Sequence, residues 1–570
     1  MSGKTMNFGR LFFLAPFVIV GALIVGCNSL NDPLEPQPKD NRTAGQKINV
    51  GFAGDAPATK AISAAGVKTF VPGDKIAVLY IQTGGGDFVK VVSEALEADD
   101  IREEGRRADF TIAVIDPEPN SDVYYVYPAD MVDSEVLVNY SALDTQDGTL
   151  ATIGRDLDLS IFQGEITPEG KLPASATLEN KFALLEISIL NADASCDITK
   201  YTSSLTVSDG GNTYNVTPPA PATTFGDGPV YVLIAECEEA ETLTFTTAGG
   251  ASKSVSGHKI EKGHMYPIGL RLGDVVNLGE VSETDGDGFL HYVAHHGDVL
   301  QGNLSSGHIS IADGAALTLD NVNIERDDYF HQPHLGCLGD GTILLAKDSE
   351  NILYTGPECC ASGIFVPKGK TVTIGGEGEL QVDCEGCYGA AIGGGFDYNT
   401  SKGTDCGNII IEGGVLDLRG GFNCPGIGAA AYSSCGGIII RGGIIKYSKG
   451  GMEASGIGTG YSGVCGDILI SGGTIGYKEV VNGEEKYHGA QGGMDAAGIG
   501  CGPAGKSGNI TIGPDITFLI AMKGENASKH IGPGGVGSTC GTITIAPGLA
   551  DTGDVGAVRL IYPAPPDDEW

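Results

Sequence analysis

The sequence predicts an all-β chain in which a β-sandwich region is followed by a parallel β-helix. Three observations predict it. Short alternating runs such as "KINVGFAG", "KIAVLYIQ", "SDVYYVYPAD", "FALLEISIL" and "VYVLIAECE" fill residues 47 to 275, separated by Gly, Asp, Asn and Pro. A phrase near thirty residues long then recurs through the C-terminal half, which means stacked repeats. Glycine is 89 of 570 residues, far above the usual ~7%, while 41% of residues are hydrophobic, so tight turns coexist with enough apolar mass for a core. At one domain per ~150 residues the length predicts three or four domains. A net charge of −37 disfavours nucleic acid and anionic membrane surfaces as partners and leaves divalent cations permitted.

In chain order, Lys4 and Arg10 precede the apolar run "LFFLAPFVIVGALIVG" and then "IVGC", ending at Cys27. This resembles a bacterial lipobox. The resemblance implies removal of the signal segment (1–27) and lipidation of Cys27, with a plain transmembrane anchor as the alternative. No later run is long and apolar enough to span a bilayer. Residues 28–46, "NSLNDPLEPQPKDNRTAGQ", read as a polar, proline-rich tether. Of 14 cysteines, 13 remain after Cys27, so complete pairing within one chain is impossible.

Four phrases in sequence, "VPGDKIAVLY" (71–80), "YYVYPAD" (124–130), "ATLENKFALLEISI" (176–189) and "IEKGHMYPIGLRL" (260–272), following a lipobox, resemble the fimbrillin family of Bacteroidetes surface lipoproteins. The resemblance implies two tandem β-sandwiches, here 47–160 and 161–275, and a role in pili or adhesion. Family pilins mature by a cut after an arginine in the loop following the first strand, opening a groove for a neighbour's strand. Here that loop reads "GDAPATKAI" with Lys60 at the expected place, and Arg42 precedes the strand. That departure and the extra C-terminal domain favour a tip or stand-alone surface protein over a shaft subunit.

From 276 to 550 the repeat is read by self-alignment: "CGNIIIEGGVLDL" (406–418), "CGGIIIRGGIIKY" (435–447), "CGDILISGGTIGY" (465–477), "SGNITIGPDITFL" (507–519) and "CGTITIAPG" (540–548). Between them recur "AIGGG", "PGIGAA", "SGIGTG", "AGIGCG" and "HIGPG". Ile409, Ile438, Ile468, Ile510 and Ile543 hold one position and Ile411, Ile440, Ile470, Ile512 and Ile545 the position two later; strand alternation turns both columns inward. Each coil then has about three short strands, and about nine coils stack some 40 Å high. The residue between the two columns faces out, so Ile410, Ile439 and Leu469 form an apolar stripe that calls for a contact surface or a cover, by the 478–489 insertion (read as a loop) or a neighbouring domain. Cys406, Cys435, Cys465 and Cys540 share one column with Ser507; buried thiols or cross-coil bridges both fit. A tail, 551–570, follows.

This half also resembles the β-helical carbohydrate-binding repeats of bacterial surface proteins, through "GTILLAKDSENILYTG", "SGIFVPKGKTVTIGGEGELQV" and "AAIGGG". That resemblance implies binding to glycans or another surface, commonly without catalysis.

Chemistry-bearing motifs are few. "GTGYSG" (458–463) and "GCGPAG" (500–505) match a dinucleotide fingerprint, but a strand rather than a helix follows each, so they read as structural turns. "CEGC" (384–387) looks like a redox or zinc half-site, and no second CxxC exists to complete a zinc site. "ERDDYFHQPHLGC" carries Asp327, Asp328, His331, His334 and Cys337, and His331, His334 and Cys337 are the weak metal candidates of a chain expected to bind no cofactor. "HYVAHHGD" (291–298) reads as a cap on the first coil. Asp417, Lys446 and Asp467 lie singly, without the paired carboxylates of a lyase or hydrolase. The sequence therefore predicts a lipid-anchored surface protein of the outer membrane, or a component of a fimbrium, acting as a non-enzymatic adhesin or pilus tip with pilus subunits or a glycan as partners. A glycan-processing β-helix enzyme and an architectural spacer are the alternatives.

Overall fold

The computed structural model describes residues 5–7, 45–52, 68–237, 241–326, 331–356, 359–397, 402–554 and 556–564. Cys27, Arg42, Lys60, Asp327 and Asp328 lie outside them. The chain divides into two compact units: Met1–Ser188 with Ser204–Phe245 and Ser254–Gly269, and Ile189–Ser203 with Thr246–Lys253 and Leu270–Trp570. Among the described residues no helix is long and apolar enough to cross a membrane.

The first unit is built on an eight-stranded sheet in which Gln46–Phe52 runs parallel to Ser175–Asn180 and antiparallel to Arg107–Ile112. Alternation is the cause: Ile48 and Val50, and opposite them Ala108, Phe110 and Ile112, all point into one core shared with Phe70, Val78, Tyr80, Tyr125 and Tyr127. Three polar contacts accompany this core. Lys68, buried, pairs with Asp158 at 2.5 Å and donates to Ser160 Oγ at 2.6 Å, and Tyr127 donates to Asp74 at 2.7 Å. A three-stranded sheet centred on Ala183–Leu190 and a five-stranded sheet that includes Leu205–Ser208 follow.

The second unit is the parallel β-helix. One of its sheets has nine parallel strands, one per coil, from Leu290–Ala294 to Ile531–Pro533. A seventeen-stranded sheet carries the two other strands of most coils. Register follows the sequence alignment: Ile409 pairs with Ile438, Ile438 with Ile468, Ile468 with Ile510 and Ile510 with Ile543. The first four are fully buried, each isoleucine contributing about 2–3 kcal/mol of apolar burial. Ile543 is 36% exposed because its coil is the last with such a strand. The "GIG" glycines answer a steric demand between coils. Gly428 and Gly458 hold φ of +131° and +133°, and a Cβ on either would stand 2.0 and 1.9 Å from the carbonyl oxygen of the matching glycine one coil on.

Three segments behave differently from a plain repeat. The 478–489 insertion is a hairpin rather than a loop: Tyr477–Val481 pairs antiparallel with Glu484–His488 around Asn482-Gly483, both with positive φ. Beyond residue 550, Arg559–Pro563 returns antiparallel to Ile510–Met522, buries Ile561 and covers a sheet edge, while Arg559 holds Asp551 through two hydrogen bonds of 2.9 and 2.8 Å. In the cysteine column Cys435 pairs with Cys465, Cys465 with Ser507 and Ser507 with Cys540. The thiols of Cys435 and Cys465 donate to carbonyls of the preceding coil, Gly407 O at 3.4 Å and Gly436 O at 3.5 Å.

His296, wholly buried near the first coils, makes a pH prediction. The amide N–H of Ala316 donates to its Nδ1 at 3.1 Å, so Nε2–H faces Thr202 Oγ1 at 2.9 Å and the ring must be neutral. Burial lowers its pKa to about 4. The unfolded chain, with a histidine pKa near ~6.5, then binds more protons between those values. The contribution is complete above pH ~6.5 and is lost as pH falls toward about 4, about 3 kcal/mol in all. Urea midpoints between pH 7.5 and 4.5 are expected to fall, and His296→Gln to flatten that fall.

Candidate functional site

The outer face of the nine-stranded sheet carries the candidate site. Along Gly307–Ile311 the alternation that buries Ile309 and Ile311 turns His308 and Ser310 outward; in the next two coils it buries Leu335 and Ile364 and turns Gly336 and Phe365 outward. These side chains line a cavity of about 290 Å3 closed at its margins by Leu338, Cys360 and Ser362. His308 stacks on His291 with ring centroids 4.3 Å apart, and His291 Nε2 meets Ser310 Oγ at 2.9 Å. Burial and the neighbouring His291 lower the pKa of His308 to about 4, so it is a neutral donor and acceptor at physiological pH. Ser362 Oγ is buried at the wall and has no hydrogen-bond partner among the described residues, leaving a polar atom for a ligand to satisfy.

In the following coils the strand positions in line with Gly336 and Phe365 become Gly393, Gly428, Gly458 and Gly500. Cys424, Ala430, Ala431 and Phe396 form a small second core there, with Tyr388 and Tyr461 against it. On this layer sits a run of rings from successive coils: Tyr388 to Phe422 at 6.0 Å, Phe396 to Tyr432 at 5.8 Å and Tyr432 to Tyr461 at 5.4 Å. Phe422 is 41% and Tyr432 51% exposed, and Met452 and Met494 continue the exposed apolar series. Phe422, Tyr432, Met452 and Met494 thus form a series of exposed apolar side chains. The self-alignment held the signal, because Phe422, Met452 and Met494 each follow a Gly-Gly pair, but the sequence reading weighed only the strands.

The residues singled out from sequence fall in several places. His331 is exposed at the cavity rim and Cys337 borders the cavity from the core side. His334 is fully buried, its Nε2 2.8 Å from Tyr354 O and its Nδ1 3.4 Å from Thr355 Oγ1, so both ring nitrogens are engaged in the interior. Burial holds the His334 pKa well below the usual range and pushes the Cys337 thiol up to about 12. Among the described residues no three His, Cys, Asp or Glu side chains converge as a metal site. Ile410, Ile439 and Leu469 pair in register as one outward column, each half-buried. The hairpin at 478–489 places His488 edge-on to Tyr447, a residue of the strand after the Gly-Gly corner, and stacks it on Tyr477 at 4.5 Å. Asp417 is not solitary: it accepts two hydrogen bonds from Arg419, at 3.1 and 3.2 Å, and Arg419 also lies 3.9 Å from Asp383. Lys446 pairs with Glu379 at 2.9 Å. "GTGYSG" and "GCGPAG" begin within their GIG strands and run on into the loops, with the strands Val464–Cys465 and Lys506–Ser507 next, as structural turns require.

No protein-family model matches the chain. No curated protein matches it. Solved structures resemble part of it. A fimbrial assembly protein from Parabacteroides distasonis is 13% identical over 40% of this chain and 90% of its own, with a TM-score of 0.25. The tip fimbrial protein Mfa3 from Porphyromonas gingivalis, with a C-terminal truncation, is 13% identical over 37% of this chain and 80% of its own, with a TM-score of 0.20. A fimbrial protein from Bacteroides ovatus is 13% identical over 40% of this chain and 48% of its own, with a TM-score of 0.22.

Proposed function

We propose that this chain is a cell-surface adhesin or pilus-tip protein that grips an extended carbohydrate along the outer face of its nine-stranded sheet. The observation that carries the reading is the pair of exposed rings Phe422 and Tyr432, 41% and 51% exposed, with the Tyr461 ring of the next coil 5.4 Å from Tyr432. A stack of coils repeats every ~4.8 Å, so it can offer a periodic polymer one apolar ring after another. Sugars present apolar C–H faces to such rings and hydroxyls to polar groups, which His308, Ser310 and Ser362 supply at the cavity. Cys27, lipidated, would hold the body at the outer membrane, and the fimbrillin-like phrases of residues 47–275 suit association with pilus subunits. The column Ile410, Ile439 and Leu469 is a second contact surface in this reading, for a protein neighbour.

A panel of immobilised polysaccharides tests it with the full chain. Retention on at least one glycan is expected, with Tyr432→Ala and Tyr461→Ala each weakening it about tenfold, the equivalent of about 1.4 kcal/mol for an anchoring aromatic. New reducing or unsaturated ends would make the protein a glycan-processing enzyme. No retention on any glycan would leave the solenoid a spacer.

A further inference from the structure

The "CEGC" motif finds a use that the binding reading does not absorb. Residues 384–387 form a tight turn directly after the strand Glu379–Asp383, and the amide of Cys387 donates to the carbonyl of Cys384 at 2.9 Å. A turn closed by that bond brings its first and fourth Cα atoms within ~7 Å, and a disulfide needs ~4.4–6.8 Å. Both side chains are buried in the core of the solenoid, Cys384 0% and Cys387 1% exposed, within one cluster. We propose that Cys384 and Cys387 close into a disulfide across this turn, fixing the corner of the coil immediately before Tyr388.

The surroundings suit the bonded form. Cys384 Sγ has only long contacts to Ala390 O at 3.7 Å and Thr355 Oγ1 at 3.6 Å, and Cys387 Sγ one to Ala361 O at 3.8 Å, so loss of the S–H hydrogens costs little. The N–H of Gly389, 3.3 Å from Cys387 Sγ, donates to a disulfide sulfur as well as to a thiol. Opening of the coil exposes the Cys384 thiol, whose thiolate starts the exchange. It attacks an external disulfide R–S–S–R, forming a mixed disulfide and expelling one R–S⁻; Cys387 Sγ then displaces the second R–S⁻ from Cys384. Two R–SH leave with the two hydrogens and two electrons of the protein dithiol. Cys359 of another coil also borders the pair, but Cys384 and Cys387 share one turn, whereas Cys435 lies between Cys406 and Cys465 of neighbouring coils.

The full chain is equilibrated with reduced and oxidised glutathione in graded ratio, in dilute urea that lets the coils open, then quenched with acid and alkylated in denaturant. The peptide containing residues 384–387 is expected to appear unalkylated and about 2 Da lighter in oxidising mixtures, with Cys435 and Cys465 still alkylated. In Cys387→Ser, Cys384 is expected to retain glutathione as the trapped mixed disulfide. Full alkylation of Cys384 and Cys387 in the most oxidising buffer, or linkage of Cys384 to another cysteine, would overturn the proposal. Glycan binding does not enter this readout, so failure of either idea leaves the other standing.

Discussion

Replacing Ile438 by aspartate is expected to unfold the middle of the β-helix. The side chain is fully buried and paired in register between Ile409 and Ile468, so every direction around it is apolar. The substitution removes about 2–3 kcal/mol of burial and leaves a carboxylate without a partner at a further cost of several kcal/mol. The sum is comparable with the whole ~5–15 kcal/mol that keeps a domain folded. Ile439, one residue on, faces outward and is half-buried, so the same change there should cost less than about 2 kcal/mol. Urea titration followed by far-ultraviolet circular dichroism measures both. Equal losses at 438 and 439 would mean that the coils do not stack as described.

Gly458→Ala is the second large effect. A Cβ at this position would lie 1.9 Å from Gly500 O, backbone that cannot yield without separating two coils, and φ is +133°. Strain of this kind costs about 1–3 kcal/mol and a lost cross-coil hydrogen bond about 0.5–1.5, giving roughly 1.5–4.5 kcal/mol together. Gly369 separates the two contributions. It has φ of +80° but nothing within 4 Å of a new Cβ, so Gly369→Ala should cost only about 1–2 kcal/mol. Thermal midpoints of the two variants against the parent give the difference directly, and a Gly458→Ala no worse than Gly369→Ala would remove the steric explanation of the GIG motif.

The proposed adhesive role and these stability effects share one origin. Because each coil contributes one inward pair, one glycine corner and one outward tip, a change in the first two is felt as unfolding and a change in the third as lost binding. Tyr432 and Phe422 can vary without disturbing Ile427 or Ile438, which is what lets a solenoid acquire a ligand surface without loss of its core.

The repeat was legible because side-chain alternation and the coil period are local rules: comparing 406–418, 435–447 and 465–477 separates inward Ile409, Ile438 and Ile468 from outward Ile410, Ile439 and Leu469 before any coordinate is known. The hairpin at 477–488 was also written in the sequence, in Asn482-Gly483, and went unread because the insertion interrupts the repeat. The cavity was not legible, and of the rings only Phe422 carried a signal, its place after a Gly-Gly pair. His308, Phe365, Ser362 and Tyr432 lie far apart along the chain, and which loops fold over the glycine face depends on contacts between coils that no single repeat contains. Pairing within a coil period is set by the chain's own chemistry; the meeting of tips from different coils is set by how the coils lie on one another, and only the tertiary structure decides that.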